Sequence, residues 1–199
     1  IPKGQSINGY PVLGGLHDIK QFLNVDFYFI YAIHSITHGQ LRIHLFESLG
    51  IPDEKLVTLI HPNTFIGEGC EIEPGVMVMA NSYLGVNTKI GKCTFVMANC
   101  SIAHDSMVGS FCHFSVGATC GSILNVGKGC DVAINATVVE KVNMGDFSVV
   151  GAGALCLNNI EEYQIVVGNP ARHLKYIQKG DTKKEWIDSN SMDNTSYKV

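Results

Sequence analysis

The sequence predicts a mainly β chain wound into a parallel helix of short strands, with a small α/β unit ahead of it. Three observations carry this. An apolar residue recurs every six positions, glycine recurs beside it, and the residues before Ile60 lack that period.

The frame runs Ile60, Ile66, Ile72, Val78, Leu84, Ile90, Val96, Ile102, Val108, Phe114, Cys120, Val126, Val132, Val138, Met144 and Val150. It never slips. Four residues after each frame position the side chain is mostly small, as at Thr64, Cys70, Ser82, Thr88, Cys100, Ala118 and Ala136. A period of six is neither the helical 3.6 nor plain alternation. It fits a short strand and a corner, repeated, with three strands per triangular coil of about eighteen residues. Frame residues point inward and stack, coil on coil. Glycine after the frame residue, as at Gly67, Gly85, Gly91, Gly109, Gly121 and Gly127, suits tight corners. With strands about 4.8 Å apart, roughly five coils make a prism on the order of 25 Å tall.

This divides the chain into a partial α/β unit (1–59), the β-helix (60–158) and a C-terminal cap with a polar tail (159–199). In the first part, Asp26 to Ile33 reads as a buried strand and Leu16 to Leu23 as a short helix. Gln40 to Leu49 reads as an amphipathic helix closed by Gly50, and Val57 to Ile60 as a strand leading into the prism. The opening residues, Ile1 to Gly9, lack the start of any recognisable unit, so a native segment is expected upstream. Trp186 is expected to dock part of the tail.

Composition narrows the function. The net charge is −4 and no Lys/Arg cluster tracks a phosphate backbone, which speaks against nucleic acid. No apolar run approaches bilayer length, so a soluble cytoplasmic setting without membrane partners is expected. Seven cysteines form no C-x-x-C pair. Cys70, Cys100, Cys112 and Cys130 take the small inward position, and Cys120 and Cys156 the large one. Only Cys93 stands outside the frame. They read as small buried hydrophobes, with no metal site.

Of eight histidines, His17, His34, His38, His44, His61 and His173 read as surface or structural. His104 and His113 differ, because both lie in the coil from Val96 to His113 and outside the inward positions. Asp105 follows His104 directly. An imidazole beside a carboxylate is a ready general base near neutral pH, provided a corner lets the two neighbours meet. A solvent-exposed corner pair without chemistry is the plainer alternative.

The stretches Ser101 to Gly109, Phe111 to Ala118 and Val166 to Arg172 resemble the hexapeptide-repeat nucleotide-sugar N-acetyltransferases. These enzymes acetylate amino-dideoxy sugars, and sialic-acid O-acetyltransferase-like proteins belong to the same group. The His-Asp pair, a histidine nine residues later and the V-G-N-P-A-R ending carry the likeness, over about residues 8–177. The resemblance implies a left-handed parallel β-helix, a homotrimer with active sites between subunits, and a Rossmann-like unit for the nucleotide sugar. Asn8 to Gly15 looks like the middle of that unit, and the family's glycine-rich loop is expected upstream.

By position, the resemblance implies His104 as base and Asp105 as the residue raising its basicity. It places His113, Gly121, Ser122, Ile134, Ala152 and Arg172 on acetyl-CoA, with a backbone N–H near Ser122 facing the thioester carbonyl. Met97 stands where the family often has Asn, and Asn99 falls in another phase of the repeat. The acceptor amine would attack the thioester directly, with no covalent enzyme intermediate. Three other readings stay open: O-acetylation of a sugar or sialic-acid hydroxyl, a γ-carbonic anhydrase-like metal enzyme, and a non-catalytic assembly domain. The metal reading lacks the five-residue histidine spacing it needs within the prism.

Overall fold

A computed structural model describes residues 3–180. Among these, the frame of six becomes two-residue strands separated by corners, repeating from Leu59–Ile60 to Leu155–Cys156. The strands stack as three parallel sheets, the faces of a triangular prism. Face one begins Leu59–Ile60, Met77–Val78, Phe95–Val96 and continues through His113–Phe114, Asp131–Val132 and Val149–Val150. Face two runs from Phe65–Ile66 through Ser101–Ile102 to Leu155–Cys156. Face three runs from Glu71–Ile72 through Met107–Val108 to Asn143–Met144. Ser101 pairs with Thr119 and His113 with Asp131, so each residue sits under the one eighteen positions later.

The second residue of each strand is the frame residue, and it points inward. Leu84, Ile90, Val96, Ile102, Phe114, Val132 and Val138 are almost wholly buried. The first coil is the exception. Ile60 is 40% exposed and Ile66 and Ile72 are partly so, because no coil lies beneath them.

The small inward positions have a second duty. Ser82, Thr88, Thr94, Cys100, Cys112 and Cys130 each donate to a carbonyl fifteen residues on, at 2.9–3.2 Å. Thiols and hydroxyls are interchangeable here because either satisfies a buried corner carbonyl. Burial pushes the Cys100 thiol up to about 11, which keeps it protonated and unreactive at neutral pH. Cys93 is also buried, outside the prism, among Tyr31, Phe46 and Phe111.

The first 59 residues keep part of the expected α/β pattern. Helix α1 spans Gly39–Leu49 and ends at Gly50 in the left-handed conformation (φ 64). Leu16–Phe22 forms a 3-10 helix. The strand expected over 26–33 is reduced to one parallel bridge, Phe29 with Leu56, and the other early strands, Ser6–Ile7 and Tyr10–Pro11, pair as an antiparallel hairpin. The described residues thus hold no parallel sheet ahead of the prism, and a Rossmann-like unit is not formed by them.

This segment instead covers face one. Leu49, Ile51 and Leu56 pack with Tyr31 and Phe46 over Phe111. A Cβ at Gly39 would overlap the carbonyl oxygen of Gly129, so only glycine lets α1 start against that corner. Past the prism, Gln164–Val167 continues face one and Arg172–Tyr176 turns back on it antiparallel. Trp186 lies outside the described residues. Among those described, no helix is long and apolar enough to cross a membrane.

Candidate active site

His104 sits at the corner where face two turns into face three. The corner explains how adjacent residues meet. Asp105 takes the left-handed conformation (φ 54), which folds its side chain back onto its neighbour. His104 Nδ1 lies 2.7 Å from Asp105 Oδ2. An ionised carboxylate only accepts, so Nδ1 carries the proton and Nε2 is left as the acceptor. Asp105 is held ionised: hydrogen bonds from Asn87, then from His104, lower its pKa below the ordinary carboxylate value. The two side chains are 51% and 48% exposed, so Nε2 has access to a ligand.

The neighbouring coils form the walls. A Cβ at Gly85 would overlap the backbone nitrogen of His104, so the coil below can approach this closely only as glycine. Above, Ile123 N–H donates to the His104 carbonyl at 3.0 Å. Ser122 therefore lies directly over His104 and Gly121 over Ala103, both half-buried.

Ile134 and Ala152 stack one above the other, joined by Gly153 N–H to the Ile134 carbonyl at 2.9 Å. Both are exposed and edge face two on the side away from His104. Four of the six cofactor positions expected from sequence thus border one face. Arg172 is exposed on the C-terminal hairpin, where its Nη1 donates to the Ala171 carbonyl. Met97 packs half-buried against the core and accepts a hydrogen bond from Ser82 at its carbonyl.

His113 is not brought to this corner. It is an outward strand residue of face one, 5% exposed beneath the N-terminal segment. Its ring lies against that of His34, tilted by 38° with centroids 3.6 Å apart. One coil above it, Asp131 is fully buried. Arg42 Nη1 lies 3.1 Å from Asp131 Oδ1, and Thr37 N–H donates to Oδ2 at 2.9 Å. Arg42 also donates to the carbonyls of Ser35, Phe111 and Gly129. The cluster fastens the N-terminal segment to the prism. The sequence reading missed Asp131, Arg42 and Asn87. Adding eighteen to His113 gives Asp131, and subtracting it from Asp105 gives Asn87, so the repeat itself held the signal for two of them.

Burial, then the charge of His34, pushes His113 down to about 3, and burial also lowers His34. Unfolding returns each ring to its ordinary 6.5. Between about 3 and 6.5 the unfolded chain therefore binds more protons, so stability is full above that window and falls as pH drops through it. Going from pH 7 to pH 5 is expected to cost about 2 kcal/mol through His113 alone. Urea midpoints at the two pH values read this. A His113→Gln variant as acid-sensitive as the parent would refute the assignment.

No protein-family model matches the chain, and no curated protein does. Solved structures do. Perosamine N-acetyltransferase from Caulobacter crescentus, a histidine mutant in complex with CoA and GDP-perosamine, is 22% identical, with a TM-score of 0.76 over 86% of this chain and 80% of that one. The acetyltransferase domain of PglB from Neisseria gonorrhoeae, in complex with acetyl coenzyme A, is 24% identical, with a TM-score of 0.73 over 87% and 83%. WeeI from Acinetobacter baumannii is 26% identical, with a TM-score of 0.63 over 86% and 82%. The chain shares with these proteins the parallel β-helix fold of hexapeptide repeats.

Proposed function

We propose that this chain is an acetyl-CoA-dependent N-acetyltransferase acting on the amino group of a nucleotide-linked amino-dideoxy sugar. The observation that carries this is the His104–Asp105 pair, closed at 2.7 Å on an open corner, with the proton on the nitrogen that faces the carboxylate. That arrangement leaves Nε2 ready to accept a proton. The bound partners of the structural neighbours, CoA with GDP-perosamine and acetyl coenzyme A, support the choice of reaction.

The proposed chemistry uses these groups in turn. The sugar amine attacks the thioester carbonyl while His104 Nε2 takes its proton, and Asp105 balances the imidazolium that forms. The tetrahedral oxyanion faces the backbone N–H at Ser122, in the coil above the base. Collapse expels the CoA thiolate, which takes that proton back from His104 Nε2 and leaves as the free thiol, so the base is restored. No acyl-enzyme is needed, because the thioester is already activated and every cysteine but the half-buried Cys70 is buried. Gly121, Ser122, Ile134 and Ala152 border the face along which the cofactor would lie. Assembly as a homotrimer in the cytoplasm belongs to the same proposal.

The test is direct. Purified protein is given acetyl-CoA with nucleotide-linked amino sugars, and thiol release is followed alongside the product mass. One acetyl group gained on the sugar nitrogen is the expected result. Acetylation of a hydroxyl, or no transfer to any amino sugar tried, would overturn the assignment.

A further inference from the structure

We propose that Asn87 is a positioning residue for this acetyl transfer, holding the Asp105 carboxylate against His104 from the coil below. The proposal rests on His104 being the base.

Asn87 lies eighteen residues before Asp105, at the same corner one coil down. Its Nδ2 donates to Asp105 Oδ1 at 3.0 Å, while Asp105 Oδ2 faces His104. Each carboxylate oxygen is thus committed to one partner. The amide orientation follows from chemistry, since an ionised carboxylate only accepts and the NH₂ must face it. The far end of the amide fits as well. Asn87 Oδ1 points down over Gly69, where a Cβ would come within 2.5 Å of it. Gly69, Asn87 and Asp105 therefore form one column beside the base.

The plainer account is that Asn87 is present only because its corner needs a left-handed residue (φ 57), which asparagine tolerates well. The same column argues against that. Its next two members are Ile123 (φ 58) and Lys141 (φ 63), so this corner accepts side chains with no such talent. Beside His104 the column instead carries the Asn87–Asp105 hydrogen bond from one coil to the next, whereas Lys141, two coils above Asp105, turns to Glu140. The Asn87 hydrogen bond is also the largest cause of the lowered Asp105 pKa. Without it the carboxylate of an exposed corner is free to rotate, and the imidazole loses the partner that selects its tautomer.

The experiment compares the full chain with Asn87→Gly, Asn87→Asp and His104→Ala. Glycine removes the amide but suits the left-handed backbone, so a purely structural role predicts an unchanged rate. The positioning role predicts a fall in kcat of roughly tenfold, a fraction of what a general base supplies, with the KM of both substrates unchanged. Aspartate keeps the shape but cannot donate, and is expected to be at least as slow. In ¹⁵N-histidine spectra, His104 should pass from a single Nδ1–H tautomer to a mixture in Asn87→Gly. Parental kcat together with an unchanged tautomer ratio overturns the proposal. An inactive parent overturns the proposed function instead, and the tautomer ratio then decides whether Asn87 positions the pair.

Discussion

His104→Ala is expected to lower kcat/KM for acetyl transfer by about 10²–10⁴-fold, the range a positioned general base contributes. The fall should appear in kcat, with acetyl-CoA binding nearly intact, because the proposed cofactor contacts lie on neighbouring positions of the prism. The fold should not change, since the side chain is half-exposed at a corner and its backbone bonds to Ile123 persist. Asp105→Asn is expected to fall between parent and His104→Ala. An amide in place of the carboxylate can donate to Nδ1, which would move the proton to Nε2 and block the acceptor there. Steady-state kinetics and circular dichroism on the same preparations test both. Near-parental turnover in His104→Ala would remove this residue from the chemistry.

The second large effect concerns stability. Removing one partner of the Arg42–Asp131 pair, as in Asp131→Asn or Arg42→Met, is expected to cost about 3–5 kcal/mol, because the other charge is left buried and uncompensated. Both side chains are nearly inaccessible, at 3% and 1% exposure. Arg42 also binds three carbonyls of two chain segments. Replacing both together, Arg42→Met with Asp131→Leu, should cost less than the sum of the single changes, since no orphan charge remains. Urea unfolding gives the energies, and amide exchange over Gly39–Leu49 shows where the loosening occurs. Additive single and double effects would mean that the two groups are not coupled, and that each holds the N-terminal segment through its other hydrogen bonds.

These two predictions draw on different parts of what the sequence contains. The six-residue frame determines the prism by itself, because an apolar residue at every sixth position has one arrangement that buries them all. It also assigns the cysteines to inward positions and brings His104 to a corner beside Asp105. The period even carries contacts distant in sequence, since a residue's neighbours in the stack are found by adding or subtracting eighteen, as Asn87 and Asp131 show. It does not say which outward positions stay open. His113 and His104 both leave the apolar pattern, yet one faces solvent and the other is buried under His34.

That difference was decided by the N-terminal segment, whose residues follow no repeat. Arg42 meets Asp131 across 89 positions of chain, and no local pattern announces such a contact. The strand expected over 26–33 shrank for the same reason. Only Tyr31 is buried against the prism, with Phe46 and Phe111, while Phe27, Tyr28, Ile30 and Ile33 stay exposed, so an apolar run alone did not reveal which of its residues the prism would cover. Periodic burial is a property of the chain and can be read along it. The covering of one surface by another depends on shape and charge brought together only in the folded molecule, and there the tertiary structure alone separated the open histidine from the covered one.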